Sequence, residues 1–380
     1  MLSVAKHLKL SMRPSWLHGD KERTTKTNGI QRFSIFDIRI LILFRISVLV
    51  FRASPVATLV PIPYNHTEAK GVATDLSVQL APKHPKGLLL ANPVLTASGT
   101  FGYGTEYSAL VDIQRLGAIV CKGTTLKPRE GNLQPRLAET ACGVLNSIGL
   151  QNIGVHALIK EKTPIWATWQ VPVIVNIAGE TVDDYVQLAK ALDGVAGVSG
   201  LEVNISCPNI GAGCIEFGAE PTLAAEVTAA VRSATTLPLM VKLTPNTGQI
   251  ARVAQAVADA GADAISLINT LKGMAIDIAK RKPLLGNRTG GLSGPAIKPV
   301  ALAMVYEVAG VVKVPVVGCG GIMTATDAIE FLMAGASAVQ VGTATFANPR
   351  APLDILEGIE VFMKKEGMKS LKGLVGITRE

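Results

Sequence analysis

Charge is scarce in this 380-residue chain. Only 17% of its residues are Asp, Glu, Lys or Arg, against 48% hydrophobic, a balance that points to a large buried core. Aromatics are scarcer still, at 4%, which counts against a stacking surface for single-stranded nucleic acid. Cysteine is limited to Cys121, Cys142, Cys207, Cys214 and Cys319. Their number is odd and no C-x-x-C occurs, so neither a disulfide framework nor a zinc or iron–sulfur site built by this chain alone is expected. A reducing, cytoplasmic setting fits that usage. No G-x-G-x-x-G opens a first βα unit, which argues against a Rossmann domain. Long hydrophobic runs are also missing. The strongest, residues 40–51 (ILILFRISVLVF), is interrupted by Arg45 and falls short of the roughly 20 residues that span a bilayer.

The net charge of +8 is unevenly placed. Residues 1–72 hold 11 Lys/Arg and 4 Asp/Glu, whereas the remainder holds 26 and 25. The body of the chain is therefore nearly neutral and offers no basic footprint for nucleic acid. Residues 1–72 read as a detached N-terminal extension, disordered or not native coding sequence, with a start near Val72. A membrane-associating segment and a cleaved targeting peptide are the alternatives. The expected domain covers 73–380.

From Asp75 onward, apolar strand-like runs alternate with helical patterns. Strands are predicted at 93–98, 118–122, 173–177, 201–206, 239–243, 264–268, 314–318 and 338–341. Helices are predicted at 182–192, 222–234, 249–260, 296–308, 325–334 and 352–365. Gly261 and Gly335 stand where helix C-caps are needed. Eight such strands over about 300 residues predict an α/β fold, a (β/α)8 barrel, whose chemistry sits at the C-terminal strand ends.

Those ends carry the site. The fourth strand runs into Asn204-Ile205-Ser206-Cys207-Pro208-Asn209, and a glycine-rich loop from Gly211 to Gly213 follows. A thiol titrates near enough to neutrality to remove a proton, and two carboxamides can hold a polar ring. A buried, inert cysteine is the competing reading. Lys122 ends the second strand and Lys242 the fifth, pointing to an anionic ligand or to charge that develops in a reaction. Lys122 also reads as a rim lysine with its head in water. Asn146, Asn176, Asn269 and Thr270 add polar groups, and 289–294 reads as part of a long loop after the sixth strand. Glycines follow the seventh strand (Gly320, Gly321) and the eighth (Gly342), a phosphate-binding arrangement in barrels. A phosphorylated planar cofactor such as flavin mononucleotide (FMN) would fit.

The segments NPVLTASGTFGYGTEY, PREGNLQPRLAETACGVLNSIGLQN, NISCPN, TGGLSGPAIKP, GCGGI and QVGTATF resemble class 1 dihydroorotate dehydrogenases, subclass B in particular, from about Asp75 to the C-terminus. The resemblance implies FMN and oxidation of (S)-dihydroorotate to orotate in pyrimidine (UMP) synthesis. It implies Cys207 as the base for the C5 proton, with the C6 hydride passing to flavin N5. It implies Lys122, Asn146, Ile148, Gly149, Leu150, Asn204, Asn209, Asn269 and Thr270 around the substrate. Ala97, Ser98, Lys122, Asn176, Asn204, Lys242, Ile268 and Gly294 would contact the cofactor, with Gly320, Gly321, Gly342 and Thr343 at its phosphate. No metal is implied in this chain. A partner subunit carrying FAD and a [2Fe–2S] cluster would pass electrons to NAD+, with two copies of each subunit assembled. The extension departs from the subclass, and membrane-bound class 2 enzymes use Ser where this chain has Cys207. A related dihydropyrimidine dehydrogenase and a non-catalytic flavin electron-transfer subunit are the alternatives.

Overall fold

A computed structural model describes residues 74–205 and 217–379, all within the unit Ala69–Glu380. Eight parallel strands form one sheet: β1 (Val94–Thr96), β2 (Ile119–Val120), β3 (Val173–Ile177), β4 (Gly200–Asn204), β5 (Leu239–Lys242), β6 (Ala264–Leu267), β7 (Val316–Cys319) and β8 (Ala338–Val341). Their order is β1-β8-β7-β6-β5-β4-β3-β2. A bridge between Leu95 and Ala118 joins the two ends, and Val120 N donates to Thr96 Oγ1 at 3.1 Å. The sheet thus closes into the expected (β/α)8 barrel.

Strands covered on both faces read as continuous apolar runs, and all five residues of β3 and of β4 are buried. The helices show why they pack where they do. In Val182–Leu192 the buried residues are Tyr185, Leu188, Ala189 and Leu192, the three-and-four spacing of one helical face. Its N-terminus is closed by a capping box between Thr181 and Asp184, and Ala325–Met333 repeats the device with Thr324 and Asp327. Gly261 and Gly335 have φ of 103° and 115°, as C-cap glycines require. The first unit departs from the pattern. Turns and a 3-10 turn at Ile113–Arg115 stand between β1 and β2 in place of an α-helix.

Two excursions above the barrel build a second sheet, antiparallel and four-stranded. Leu137–Thr140 and Gly143–Asn146 come from the β2 excursion, Leu271–Met274 and Thr289–Ser293 from the β6 excursion. The loop expected at 289–294 is therefore largely a strand. Its glycines hid it, because they carry no β-propensity, yet they are what lets it pack. A Cβ on Gly291 would lie 2.0 Å from Thr270 Oγ1, and one on Gly290 2.4 Å from the Asn146 carbonyl. Among the described residues no helix is long and apolar enough to cross a membrane.

Candidate active site

The C-terminal strand ends surround one cavity, roofed in part by the second sheet. Ala97 and Ser98 after β1, Lys122 after β2, Asn176 on β3, Asn204 on β4 and Lys242 on β5 line it. So do Ile268, Asn269 and Thr270 after β6, Gly320 and Gly321 after β7, and Gly342 and Thr343 after β8. The second sheet and its approaches contribute Asn146, Ile148, Gly149, Leu150 and Gly294. Every site residue expected from the sequence that falls within the described residues lies on this cavity. Cys207 and Asn209, with Ser206, Pro208 and the glycine-rich stretch through Glu216, lie outside the described residues.

The cavity floor is a hydrogen-bonded polar layer inside the barrel. Period-two alternation puts Glu202 and Asn204 on the same face of β4. Glu202 is wholly buried and accepts from three side chains: Asn176 Nδ2 at 2.6 Å, Ser266 Oγ at 2.8 Å and Gln340 Nε2 at 2.6 Å. Lys242 Nζ lies 3.9 Å from Glu202 Oε2 and donates to Ser98 Oγ and Gln340 Oε1, both at 3.3 Å. Towards the cavity, Asn204 Nδ2 donates to Asn176 Oδ1 at 3.5 Å and Asn269 Nδ2 to Asn204 Oδ1 at 3.3 Å. On the opposite wall Asn146 Nδ2 donates to the Gly291 carbonyl at 3.1 Å. Glu202, Ser266 and Gln340 were not among the expected site residues. A charged residue in the middle of a strand buried on both faces was the available signal, because such a charge must be paired.

Lys122 is the half-buried counterpart of Lys242. Burial pulls its pKa down, Glu106 draws it back up and Arg136 pushes it further down. The described cysteines differ sharply. Burial pushes the Cys121 thiol up to about 12. It raises Cys319 as well, with the Lys242 charge opposing and Glu202 reinforcing. Cys319 lines the cavity, but a thiol held neutral is a poor base. Cys142 is exposed, at the turn between Leu137–Thr140 and Gly143–Asn146.

The far end of the cavity is a backbone cradle. Gly320 and Gly321 have φ of 128° and 73°, and a Cβ on Gly321 would lie 2.7 Å from Lys298 N. Among the described residues, the N–H groups of Gly321, Gly342 and Thr343 donate to no protein acceptor. Unspent donors beside positive-φ glycines fit a phosphate group, and Lys242 fits an anionic edge of a planar ligand, so these residues fit FMN. No group of three or more His, Cys, Asp or Glu side chains placed to hold a metal occurs among the described residues.

A closed (β/α)8 barrel whose mouth carries positive-φ glycines, two lysines and a set of carboxamides defines the class: a (β/α)8-barrel enzyme with a polar cavity at its C-terminal strand ends. The family model for dihydroorotate dehydrogenase matches residues 82–363. The "Dihydroorotate dehydrogenase B (NAD(+)), catalytic subunit" of Geotalea uraniireducens is 56% identical over 302 residues, 80% of this chain and 97% of that protein. Proteins of the same name from Trichlorobacter lovleyi and Desulforamulus reducens are each 57% identical, over 289 and 287 residues. Those alignments cover 76% of this chain and 95% and 94% of theirs. This chain belongs to the dihydroorotate dehydrogenase family.

Proposed function

We propose that the chain is the FMN-bearing catalytic subunit of an NAD+-type dihydroorotate dehydrogenase, oxidising (S)-dihydroorotate to orotate for pyrimidine synthesis in the cytoplasm. The observation that carries this reading is the convergence of Lys122, Lys242, Asn146, Asn204 and Asn269 on the cavity that ends in the glycine cradle. Bound FMN supplies a two-electron acceptor for hydride. Gly320, Gly321, Gly342 and Thr343 hold its phosphate, while Ala97, Ser98, Asn176, Ile268 and Gly294 flank the rest. Lys242 faces the edge that gains negative charge. Asn146, Asn204, Asn209, Asn269, Thr270 and the backbone of Ile148–Leu150 fix the substrate, with Lys122 between substrate and cofactor. Cys207 removes the C5 proton.

This chain's own cysteines support no second redox centre, and the relatives' printed name is that of a catalytic subunit of an NAD(+) enzyme. We therefore assign onward transfer to a partner subunit bearing FAD and a [2Fe–2S] cluster, on a homodimeric barrel core. Residues 1–72, detached in charge from the rest, are assigned no part in catalysis. The test is an assay of a purified chain starting at Val72. It should be yellow and should reduce an artificial dye with dihydroorotate but not with dihydrouracil. It should reduce NAD+ only when the partner is added. Dihydrouracil preference would overturn the substrate, and fumarate reduction by the chain alone would overturn the partnered form.

A further inference from the structure

The carboxylate of Glu202 stands behind three polar side chains of the cavity wall, Asn176, Lys242 and Gln340. It is wholly buried and does not line the cavity, whereas Asn176, Lys242 and Gln340 do. A carboxylate can only accept hydrogen bonds, so each neighbour must turn a donor towards it. Asn176 gives its Nδ2 at 2.6 Å and Gln340 its Nε2 at 2.6 Å. Each amide has one oxygen left, and its direction is thereby decided. The Gln340 oxygen faces Lys242 Nζ at 3.3 Å, and the Asn176 oxygen faces the Asn204 amide at 3.5 Å.

Lys242 is itself only 3% exposed and 3.9 Å from Glu202. A buried ammonium held beside a buried carboxylate presents little net charge to the space above it, and removing either partner leaves the other uncompensated. The geometry points to Glu202 as a positioning residue that sets how much of the Lys242 charge reaches the cofactor. This rests on the reading that a flavin occupies the cavity. Flavin gains negative charge when it is fully reduced, and also when its oxidised form takes up sulfite. Both equilibria report the local potential without turnover. Glu202 holds them down by balancing Lys242.

The test compares flavin-loaded wild type, Glu202→Gln, Lys242→Met and the double variant. Sulfite is titrated against the oxidised flavin, and the midpoint potential is measured against reference dyes. Glu202→Gln should bind sulfite at least tenfold more tightly. A matching tenfold shift in the two-electron equilibrium is about 30 mV more positive. In the Lys242→Met background the same change should move sulfite affinity less than threefold. A merely structural lesion would not tighten binding of an anion. Unchanged affinity and potential in Glu202→Gln, or an equal effect in both backgrounds, overturns the proposal. If Glu202→Gln does not fold, Glu202→Asp carries the test. It keeps the charge but withdraws it by one methylene, and should tighten sulfite binding several-fold; no change overturns the proposal. A wild type that binds no flavin would instead overturn the functional reading, and would show itself before any variant is compared.

Discussion

The Tyr185 hydroxyl donates to the carbonyl of Asn204 at 2.8 Å, tying the helix Val182–Leu192 to the end of β4. The same ring meets Phe217 edge-on, with centroids 6.1 Å apart, and Gly218 N donates to the Ile205 carbonyl at 2.9 Å. One side chain thus braces both points between which the chain leaves the barrel and returns. Tyr185→Phe keeps the ring contact and deletes only the hydroxyl. It should cost about 1 kcal/mol of stability, the net worth of one buried hydrogen bond. Turnover should fall as well, because Asn204 lines the cavity. Urea unfolding followed by far-UV dichroism reads the first effect. An unmoved midpoint would show the bond to be energetically idle.

Asp327 should couple acid stability to cofactor retention. It accepts from Met323 N, Thr324 N and Thr324 Oγ1 at 2.9–3.0 Å, and from Lys298 Nζ at 2.6 Å. Burial pulls its pKa up, but those hydrogen bonds, that from Lys298 foremost, hold it below the usual carboxylate range. A carboxylate depressed on folding contributes stability above its unfolded pKa, and that contribution is lost as pH falls through the folded value. Asp327→Asn should cost about 1–2 kcal/mol at neutral pH, in the range of a lost helix cap. The gap to wild type should close as pH drops below about 3.9. Lys298 N also backs Gly321, so the variant should release flavin at a lower temperature. A gap that stays constant with pH would detach Asp327 from the linkage.

Strand identity was legible because parallel barrel strands are apolar on both faces, and β3, β5, β6 and β8 fall where runs such as VIVNI and LMVK place them. Helix 182–192 was legible to the residue, since Thr181 and Asp184 mark its start. The second sheet was not. Thr289–Ser293 is built of TGGLS and Leu271–Met274 of LKGM, segments with no apolar alternation and a single β-branched residue, Thr289, whose pairing depends on long-range register with Gly143–Asn146. At the site, strand-end residues could be read one by one from the barrel rule. Glu202 was legible only as a charge inside a buried strand, because its partners come from four other strands, β3, β5, β6 and β8.

Lys122 should be a stability liability kept for binding. Its pKa is lowered first by burial, so the charged form is penalised on folding. The unfolded chain then binds more protons in that range, and stability rises with pH as the lysine discharges. Lys122→Met should raise the melting temperature of the flavin-free protein at neutral pH. That advantage should shrink as pH climbs towards about 10.4, where the unfolded lysine discharges too. The same variant should bind orotate, an anion, at least tenfold more weakly, read by perturbation of the flavin spectrum. A lower melting temperature at neutral pH would show that Lys122 is compensated in the fold.

Cys207, the proposed base, can be tested against the other cysteines. Cys121, with its thiol pushed to about 12, and Cys319, raised by burial, are both held neutral. Cys142 is exposed at a hairpin turn. Cys207 and Cys214 remain. Asn204, three residues before Cys207 in the sequence, lines the cavity. Cys207→Ala should therefore retain FMN while slowing flavin reduction by dihydroorotate at least ~100-fold, the lower range for losing a general base. Cys214→Ala should change it less than threefold. Cys207→Ser should keep a residual rate that rises with pH, because a hydroxyl is a far weaker acid than a thiol and only its ionised form is an effective base. Anaerobic stopped-flow at several pH values separates the three. Wild-type rates in Cys207→Ala would remove Cys207 from the chemistry, and a pH-independent residual rate in Cys207→Ser would move proton removal to solvent.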